Sequence, residues 1–430
     1  MAKDRRVAVT GIAPLSSLGI GKEATWNNAL EETVNIKNFD EYIFGKYSRS
    51  FQIYKMDGFD IADYGLNSLI LEDIKKWQYG EEVLDLYYLL AAVKLALNDS
   101  NLRCEDRRDI GLVLTHENPG IEQFCSTFIN KSFEIYETKK GLTKEEYFDF
   151  INESVDNKVS DLQTFMFLFY AAKLFNIHGY SLFINNSCAS GSYAIEAASQ
   201  SIKNGINNAV IVASSEHPGI YKHIWLHKLG ILSEEGKIKP FSINRNGFIC
   251  GEGGAALVLE DLEHALNRGA RIYAEYLGGV CNLESWKITV PDVTKNSYKK
   301  TITEALQKCG LTPDDINIIN AHGLGSSMQD QYEANALTDV FGKKFYKPFV
   351  TAFKPYFGHT LGNSALLETL ILLLSMQEDL VLPVLNYEGE DPKLKMIINR
   401  EIIKTDLNTG MKIVWGFGGY NAATIFRKYK

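Results

Sequence analysis

Short apolar runs typical of β-strands alternate with helical patterns along almost the whole chain of 430 residues. Many of the strand-like runs border glycine-rich turns, as in RRVAVTGIAP and GGAALVLE. Four helical patterns are clear, and they cover Glu82–Asn98, Ser190–Lys203, Ser297–Cys309 and Ser364–Met376. Strands that alternate with helices in this way favour an α/β protein in which helices cover the sheets. A chain of this length can form one large domain or two ordinary ones.

The same order of elements occurs once in each part of the chain. In FINNSCASGSYAIEAA, from Phe183, a strand-like run leads through a short turn into a helix, and VTAFKPYFGHTLGNSALLETL, from Val350, repeats that order. We therefore predict two related α/β halves, residues 1–265 and 266–430, which share one core because no linker-like tract separates them. Residues 118–175 are polar and aromatic, and we expect them to form a helical insertion packed over the first half.

Composition and residue spacing argue against several classes of protein. A formal net charge of −8 offers no reason to expect nucleic-acid binding. The most apolar span, Ala365–Met376, is too short to cross a membrane, which takes about 20 residues, and the N-terminus lacks the apolar core of a signal peptide. The six cysteines form no CxxC pair, and no HxxxH or HxH pair exists. We therefore expect a cytoplasmic protein with reduced thiols and no metal site.

One cysteine, Cys188, stands at the predicted start of a helix, just after a strand-like run. A helix N-terminus has unpaired N–H groups and about half a positive charge, which favour an anion such as a thiolate. The small residues Ala189–Gly191 leave room for a substrate, although small residues also occur where a helix packs closely on a sheet. We interpret Cys188 as a nucleophile that reacts with iodoacetamide faster than the other five cysteines. An inert buried thiol is the alternative.

Two of the eight histidines have glycine neighbours at the ends of strand-like runs. His322 lies in INAHGLGSS, and His359 lies in FKPYFGHTLG together with Lys354. Glycine permits unusual backbone angles and the close approach of a ligand. The turn GFGG, which contains Phe417, lies between two strands and lacks the helix that a phosphate-binding loop requires. From this segment alone we favour an ordinary hairpin, and the alternative is a turn whose phenylalanine faces a cavity.

Five motifs follow one another in the order SCASG, RNGFICGEGGAALVLE, NAHGLGSS, FKPYFGHTLG and WGFGGYNA. In this order they resemble the β-ketoacyl-acyl carrier protein synthases, which are the ketosynthases or condensing enzymes of the thiolase-like superfamily, in their type II fatty-acid and polyketide branch. The resemblance extends from Val7 to Phe426. It implies a thiolase-like α/β fold, in which two related halves form five layers in the order helix, sheet, helix, sheet, helix.

The resemblance also implies a reaction and the residues that perform it. The family's catalytic cysteine, two histidines, supporting lysine, acidic residue and gating phenylalanine match Cys188, His322, His359, Lys354, Glu333 and Phe417. The cysteine would carry an acyl group, with the N–H groups of Cys188 and Phe417 around its oxyanion, while neutral histidines stabilise the enolate formed when a malonyl thioester loses CO₂. Both substrates would be carried on the phosphopantetheine of acyl carrier protein, with no tightly bound cofactor.

The resemblance further implies a homodimer or a heterodimer with a chain-length-factor-like subunit. The family's HGTST is HGLGS here, so Ser326 and Leu324 are the candidates for binding the phosphopantetheine arm, and GFGGTN has become GFGGYN with a bulky Tyr420. These departures indicate a specialised fatty-acid or polyketide enzyme.

Two other members of the fold are weighed against this prediction. A thiolase is disfavoured because WGFGGYNA lacks that enzyme's second cysteine. A non-catalytic, chain-length-factor-like partner subunit is the main alternative, and the presence of Cys188 argues against it.

Overall fold

A computed structural model of the protein describes residues 5–43, 46–77, 83–102, 107–138, 141–159, 163–294, 296–342, 348–394 and 396–430. The strands in these ranges are β1 Val7–Ser16, β2 Gly19–Ile20, β3 Ile36–Ile43, β4 Lys46–Tyr54, β5 Ile110–Thr115, β6 Ser181–Ile184, β7 Ala209–Glu216, β8 Cys250–Gly251, β9 Gly253–Asp261, β10 Ala274–Leu283, β11 Ile318–Asn320, β12 Phe349–Thr351, β13 Leu380–Val381, β14 Ile403–Lys404, β15 Thr409–Gly416 and β16 Tyr420–Lys428. The helices are α1 Lys22–Leu30, α2 Ser68–Trp77, α3 Leu84–Ser100, α4 Ile121–Thr138, α5 Lys144–Val159, α6 Phe165–Phe175, α7 Ser190–Lys203, α8 Ile220–Lys228, α9 Leu262–Asn267, α10 Ser297–Lys308, α11 Ser327–Phe341, α12 Lys354–Phe357 and α13 Ser364–Glu378.

Eleven strands of the described chain form one mixed sheet. Ten of them follow the order β12-β11-β15-β16-β10-β1-β9-β7-β5-β6, and β2 pairs with β1. Outward from the central antiparallel pair β1 and β10, each side of the sheet has two antiparallel pairings followed by two parallel ones. The two related halves predicted from the sequence are therefore present, and β1 joins them because Val7 pairs with Tyr276 on one side and with Asp261 on the other.

The helices that cover this sheet lie in three layers. The central layer contains α7 and α13, which pack against each other and against strands of both sides, since α7 contacts β7 and β10 while α13 contacts β9 and β15. Outside, α3 packs on β1, β7 and β9, α10 packs on β10 and β16, and α11 packs against α10. Since α7 and α13 contact strands of both sides, each side of the sheet forms its own layer against these central helices. These two strand layers and the three helical layers confirm the five-layer α/β arrangement. No helix within the described ranges is both long and apolar enough to cross a membrane.

The predicted helices agree with the observed ones to within about two residues. The prediction Ser190–Lys203 has the same bounds as α7, α10 ends one residue earlier than predicted, and α13 ends two residues later. The helix predicted to start at Glu82 begins at Leu84 in the structure, and Glu82 itself lies outside the described residues. Helices α4, α5 and α6 occupy most of the polar and aromatic region 118–175.

The two central helices approach each other closely at Gly191. A Cβ atom at this position would lie 2.4 Å from the backbone nitrogen of Leu366 and 2.9 Å from its Cα. Backbone atoms of a buried helix cannot move aside as the end of a flexible side chain can. The absence of a side chain at Gly191 thus permits close packing, and the partner is another helix rather than the sheet considered above.

We predict that Gly191→Ala destabilises the protein by about 1–3 kcal/mol, because the added methyl group must push α7 and α13 apart. Urea unfolding followed by circular dichroism measures this change. Gln200→Ala, on the exposed side of the same helix, serves as the control and should change the free energy of unfolding by no more than about 0.5 kcal/mol. Equal effects of the two substitutions would contradict the packing argument.

Candidate active site

Cys188 lies in the turn between β6 and α7, where the sequence analysis placed it. The turn is sharp, because Ser187 adopts a left-handed backbone conformation with φ of 54°. Cys188 is buried, with 7% of its surface exposed, and its Sγ lies 3.1 Å from Nε2 of His359. The structure therefore brings together a thiol from the first half and an imidazole from the second.

His359 is fixed through its backbone and its ring. Its N–H donates to the carbonyl of Ile249 at 2.9 Å, and its carbonyl accepts from the N–H of Gly251 at 3.0 Å. Its Nδ1 lies 3.1 Å from the Ser364 hydroxyl, which donates to Oε1 of Glu368 at 2.8 Å. Because that hydroxyl has given its hydrogen to the carboxylate, it must accept from Nδ1–H. The lone pair on Nε2 then faces the thiol of Cys188 and can accept its proton.

His322 is held by a different set of groups. The N–H groups of His322 and Gly323 donate to the two carboxylate oxygens of Glu333 at 2.6 and 2.8 Å. The ammonium of Lys354 donates to the carbonyl of His322 at 2.5 Å and lies 3.2 Å from its Nδ1. Since an ammonium can only donate, Nδ1 accepts and the hydrogen is on Nε2. The His322 ring lies 5.6 Å from that of His359, centroid to centroid, so the two imidazoles share one chamber.

A buried cluster of charges lies behind the histidines. One oxygen of Glu368 accepts from Lys354 at 2.6 Å, and the other accepts from Lys412. All three side chains are fully buried. Burial, together with the positive charge of Lys354, holds the pKa values of His322 and His359 well below 6.5, so both rings are neutral. Burial also lowers the pKa of Lys412 to about 8.

A helix start favours a thiolate and would lower the pKa of the Cys188 thiol, but in the structure this pKa is raised. Burial, reinforced by the negative charge of Glu117, raises its pKa to about 12. Loss of water around a thiolate disfavours its charged form. The helix start therefore does not leave Cys188 as a resting thiolate, and its reactivity depends on proton transfer to His359.

Phe417 lies beside the nucleophile at the turn between β15 and β16. A Cβ atom on the preceding Gly416 would lie 3.3 Å from the backbone nitrogen of Cys188, so the GFGG turn packs directly on the Cys188 turn. The Phe417 ring packs edge to face against the rings of Trp225 and Trp415, at 5.9 and 6.1 Å between ring centroids. GFGG is the hairpin turn between the paired strands β15 and β16, and its phenylalanine also lines a cavity, so both interpretations apply.

The chamber around Cys188 is small, with a volume of about 20 Å³. Both histidines, Phe417 and Leu324 line it. A second cavity of about 350 Å³ adjoins it, and Phe417 lines that cavity too. Ser326 lines neither space, and its hydroxyl contacts Gln329 instead. Of the two candidates for binding the phosphopantetheine arm, the structure thus brings only Leu324 to the chamber.

Two parts of the chain match models of one protein family. Residues 86–265 match the β-ketoacyl synthase N-terminal domain, and residues 273–388 match the β-ketoacyl synthase C-terminal domain. Cys188 lies in the first match, and both histidines of the chamber lie in the second. The chain belongs to the β-ketoacyl synthase family. It is therefore a condensing acyltransferase, as the resemblance implied.

Similar proteins span the full length of this β-ketoacyl synthase. The 3-oxoacyl-[acyl-carrier-protein] synthase 2 of Staphylococcus aureus strain N315 is 27% identical over 439 aligned residues, which cover 100% of both chains. A chain of the ishigamide ketosynthase/chain length factor superposes with a TM-score of 0.84 at 22% identity, over 100% of both chains. A third similar chain comes from the complex of a type II PKS acyl-carrier protein with its hexaketide-bound ketosynthase. It superposes with a TM-score of 0.81 at 25% identity, over 99% of this chain and 100% of that one. The thiolase-like ketosynthase fold is confirmed.

Sequence reasoning missed several residues of the site. Glu368 was visible as the one acid in an apolar helical run, and Lys412 as a lysine in an apolar strand. A charged residue within a buried element indicates a partner of opposite charge. Here Glu368 and Lys412 are partners of each other. Glu117 and Lys222, which pair beside Cys188, carry no such signal, since both occur in polar segments of the sequence.

We predict that His359→Ala slows alkylation of Cys188 by iodoacetamide about 100-fold, since the neutral imidazole accepts the thiol proton during the reaction. Peptide mass spectrometry after timed labelling measures the rate at each cysteine. His322→Ala is the matched control, because His322 lies in the same chamber and its assigned hydrogen bonds do not include the sulfur. Equal labelling rates of Cys188 in the two variants would rule out His359 as the base.

The low pKa of His359 also predicts a flat pH profile. Because the imidazole is deprotonated and the Cys188 thiol protonated throughout the range, alkylation of Cys188 should be nearly constant from about pH 6.5 to about pH 8. The half-exposed Cys125 has no such base among its described contacts, so its labelling should rise with pH as its thiolate fraction rises. A Cys188 rate that rises in parallel with that of Cys125 would show that free thiolate is the reacting species.

Proposed function

We propose that this chain is a β-ketoacyl-acyl carrier protein synthase that joins a Cys188-bound acyl group to the two carbons of a malonyl group, in polyketide or specialised fatty-acid biosynthesis. The observation that carries the proposal is the 3.1 Å contact between the thiol of Cys188 and the unprotonated Nε2 of His359, in one chamber with His322. That contact also disfavours a chain-length-factor-like subunit without condensing activity, because such a subunit has no use for a paired nucleophile and base.

In the first step, Cys188 takes the acyl group from its carrier. The thiol proton moves to Nε2 of His359 as sulfur attacks the thioester carbonyl, which removes the need for a free thiolate. The backbone N–H groups of Cys188 and Phe417 hold the oxyanion, and the packing of Gly416 on the Cys188 turn supports this placement. The carrier thiolate leaves and takes the proton back from His359, so the ring is neutral again.

In the second step, the malonyl thioester loses CO₂. The two electrons of the broken carbon–carbon bond move to the α-carbon and its enolate oxygen, and Nε2–H of His322 donates to that oxygen. The carbanion then attacks the acyl-cysteine and forms the new carbon–carbon bond as the bond between the acyl carbon and the Cys188 sulfur breaks. Cys188 leaves as a thiolate and takes up one proton from solvent, which Nε2 of His359 can relay. Lys354 and Glu333 position His322 through its ring nitrogen and backbone, without contacting the substrate.

The proposal includes the partners and setting of the reaction. Acyl carrier protein supplies both substrates, and its phosphopantetheine arm reaches the chamber past Leu324, with Ser326 further out. This mechanism uses no tightly bound cofactor or metal, and we place it in the cytoplasm. The similarity to a ketosynthase/chain length factor supports a heterodimer, and a homodimer is the alternative. We keep residue 265 as the division between the two halves.

Mass spectrometry of the intact protein tests the proposed function. After incubation with an acyl-acyl carrier protein, we expect a mass increase equal to the acyl group, which is absent in Cys188→Ala. Cys250→Ala, which removes another buried cysteine, should still form the adduct. An unmodified wild-type protein with every acyl donor would contradict the proposal and favour the non-catalytic partner subunit.

The two histidines are predicted to separate the two steps. His322→Ala should retain acylation of Cys188 but release CO₂ from malonyl-acyl carrier protein at least about 100-fold more slowly, because the enolate loses its donor. Release of labelled CO₂ and the acyl-enzyme mass are measured on the same samples. The assigned role of His322 fails if decarboxylation continues at the wild-type rate.

A further inference from the structure

A buried ion pair forms part of the wall beside Cys188. Glu117 lies two residues after β5, and its Oε2 accepts from Nζ of Lys222 on α8 at 2.6 Å. Its other carboxylate oxygen lies 3.4 Å from the hydroxyl of Ser187, the residue next to the nucleophile. The side chains of Glu117 and Lys222 are only 10% and 9% exposed. The mechanism described above uses neither of them.

Glu117 lies where an acyl chain must pass, and its partner Lys222 lines the cavity beyond. Glu117, Trp225 and Phe417 line both the chamber of Cys188 and the adjoining cavity, so these three side chains form the partition between the two spaces. The chamber, at about 20 Å³, holds about one water molecule. An acyl group of several carbons on Cys188 therefore extends across the partition into the cavity of about 350 Å³, which Lys222 also lines.

Two side chains of the partition are aromatic and suit any acyl chain, whereas Glu117 and, in the cavity wall, Lys222 do not suit a saturated hydrocarbon chain. Methylene groups packed against Glu117 and Lys222 would remove water from both charges and offer no hydrogen bond in return, which is unfavourable. A keto or hydroxyl oxygen can accept from the ammonium of Lys222, which has three N–H donors, and a hydroxyl can also donate to Glu117. The wall thus offers a partner to an oxygen near the thioester.

We propose that Glu117 and Lys222 select acyl groups that carry an oxygen on the third carbon, namely 3-oxoacyl and 3-hydroxyacyl groups, over saturated groups of the same length. This inference rests on the proposed function, because it concerns the acyl group that Cys188 carries in that reaction. It places the enzyme after a condensation whose product is left unreduced or is reduced only to the alcohol.

The experiment compares three acyl groups of equal length. The full-length protein is incubated with the N-acetylcysteamine thioesters of butyrate, 3-hydroxybutyrate and 3-oxobutyrate, and the initial rate of adduct formation on Cys188 is followed by intact mass spectrometry. Each rate is divided by the rate of the same thioester with free N-acetylcysteine, which corrects for intrinsic reactivity. We expect both oxygenated groups to react about 10-fold faster than butyrate or more, as a hydrogen bond to a charged group predicts.

The double variant Glu117→Ala/Lys222→Met tests which residues cause the selection. Removing both charges together leaves neither one buried without its partner. The ratio of the corrected rates for the oxygenated thioesters to that for butyrate should then fall toward one. Lys299→Met/Asp339→Ala removes an exposed ion pair between α10 and α11 and should leave the preference unchanged.

Three outcomes would overturn the inference. Equal corrected rates for the three thioesters in the wild-type protein would do so without any variant, as would a preference that persists in the double variant. In both cases Cys188 is still acylated, and the proposed function stands. If none of the thioesters, and no acyl-acyl carrier protein, modifies Cys188, the proposed function fails and this inference fails with it.

Discussion

The carboxylate of Glu368 determines how both histidines of the site are protonated. Its Oε1 accepts from Lys354 and Ser364, and its Oε2 accepts from Lys412. Lys354 presents a donor to Nδ1 of His322, whereas Ser364 presents an acceptor to Nδ1 of His359. The two rings therefore adopt opposite tautomers, one with Nε2–H and one with a lone pair toward the chamber. One buried anion thus prepares a hydrogen-bond donor and a proton acceptor a few ångströms apart.

The fold explains how this anion is kept away from water. Glu368 lies on α13, in the helical layer between the two sides of the sheet, where residues on every side of the helix are buried. The partner helix, α7, begins just after Cys188, so one layer carries both the nucleophile and the carboxylate. Burying an ion network costs free energy of desolvation, and a protein with apolar side chains in its place is often equally stable. What the network of Glu368, Lys354 and Lys412 contributes here is the position of the two imidazoles.

Local sequence patterns predicted the parts of the structure that depend on neighbours in the chain. The bounds of α7 followed from its apolar stripe and from the stop at Asn204 and Gly205, and the motif order led to Cys188, His322 and His359. Pairs formed by distant residues were missed, as with Glu117 and Lys222, which are 105 positions apart. The raised pKa of Cys188 was missed for the same reason, since the helix start is local whereas burial depends on residues from both halves.

Burial acts on the thiol and the imidazoles in one direction, toward their neutral forms. It raises the pKa of Cys188 and lowers those of His322 and His359, so their three reactive atoms are uncharged at rest and the charges lie behind or beside them. A thiol that stays protonated reacts only when an electrophile is held against it and His359 accepts its proton in the same event. Substrate binding therefore controls nucleophile activation, and the residues that shape the path to Cys188, including the Glu117–Lys222 pair, control which thioesters can trigger it.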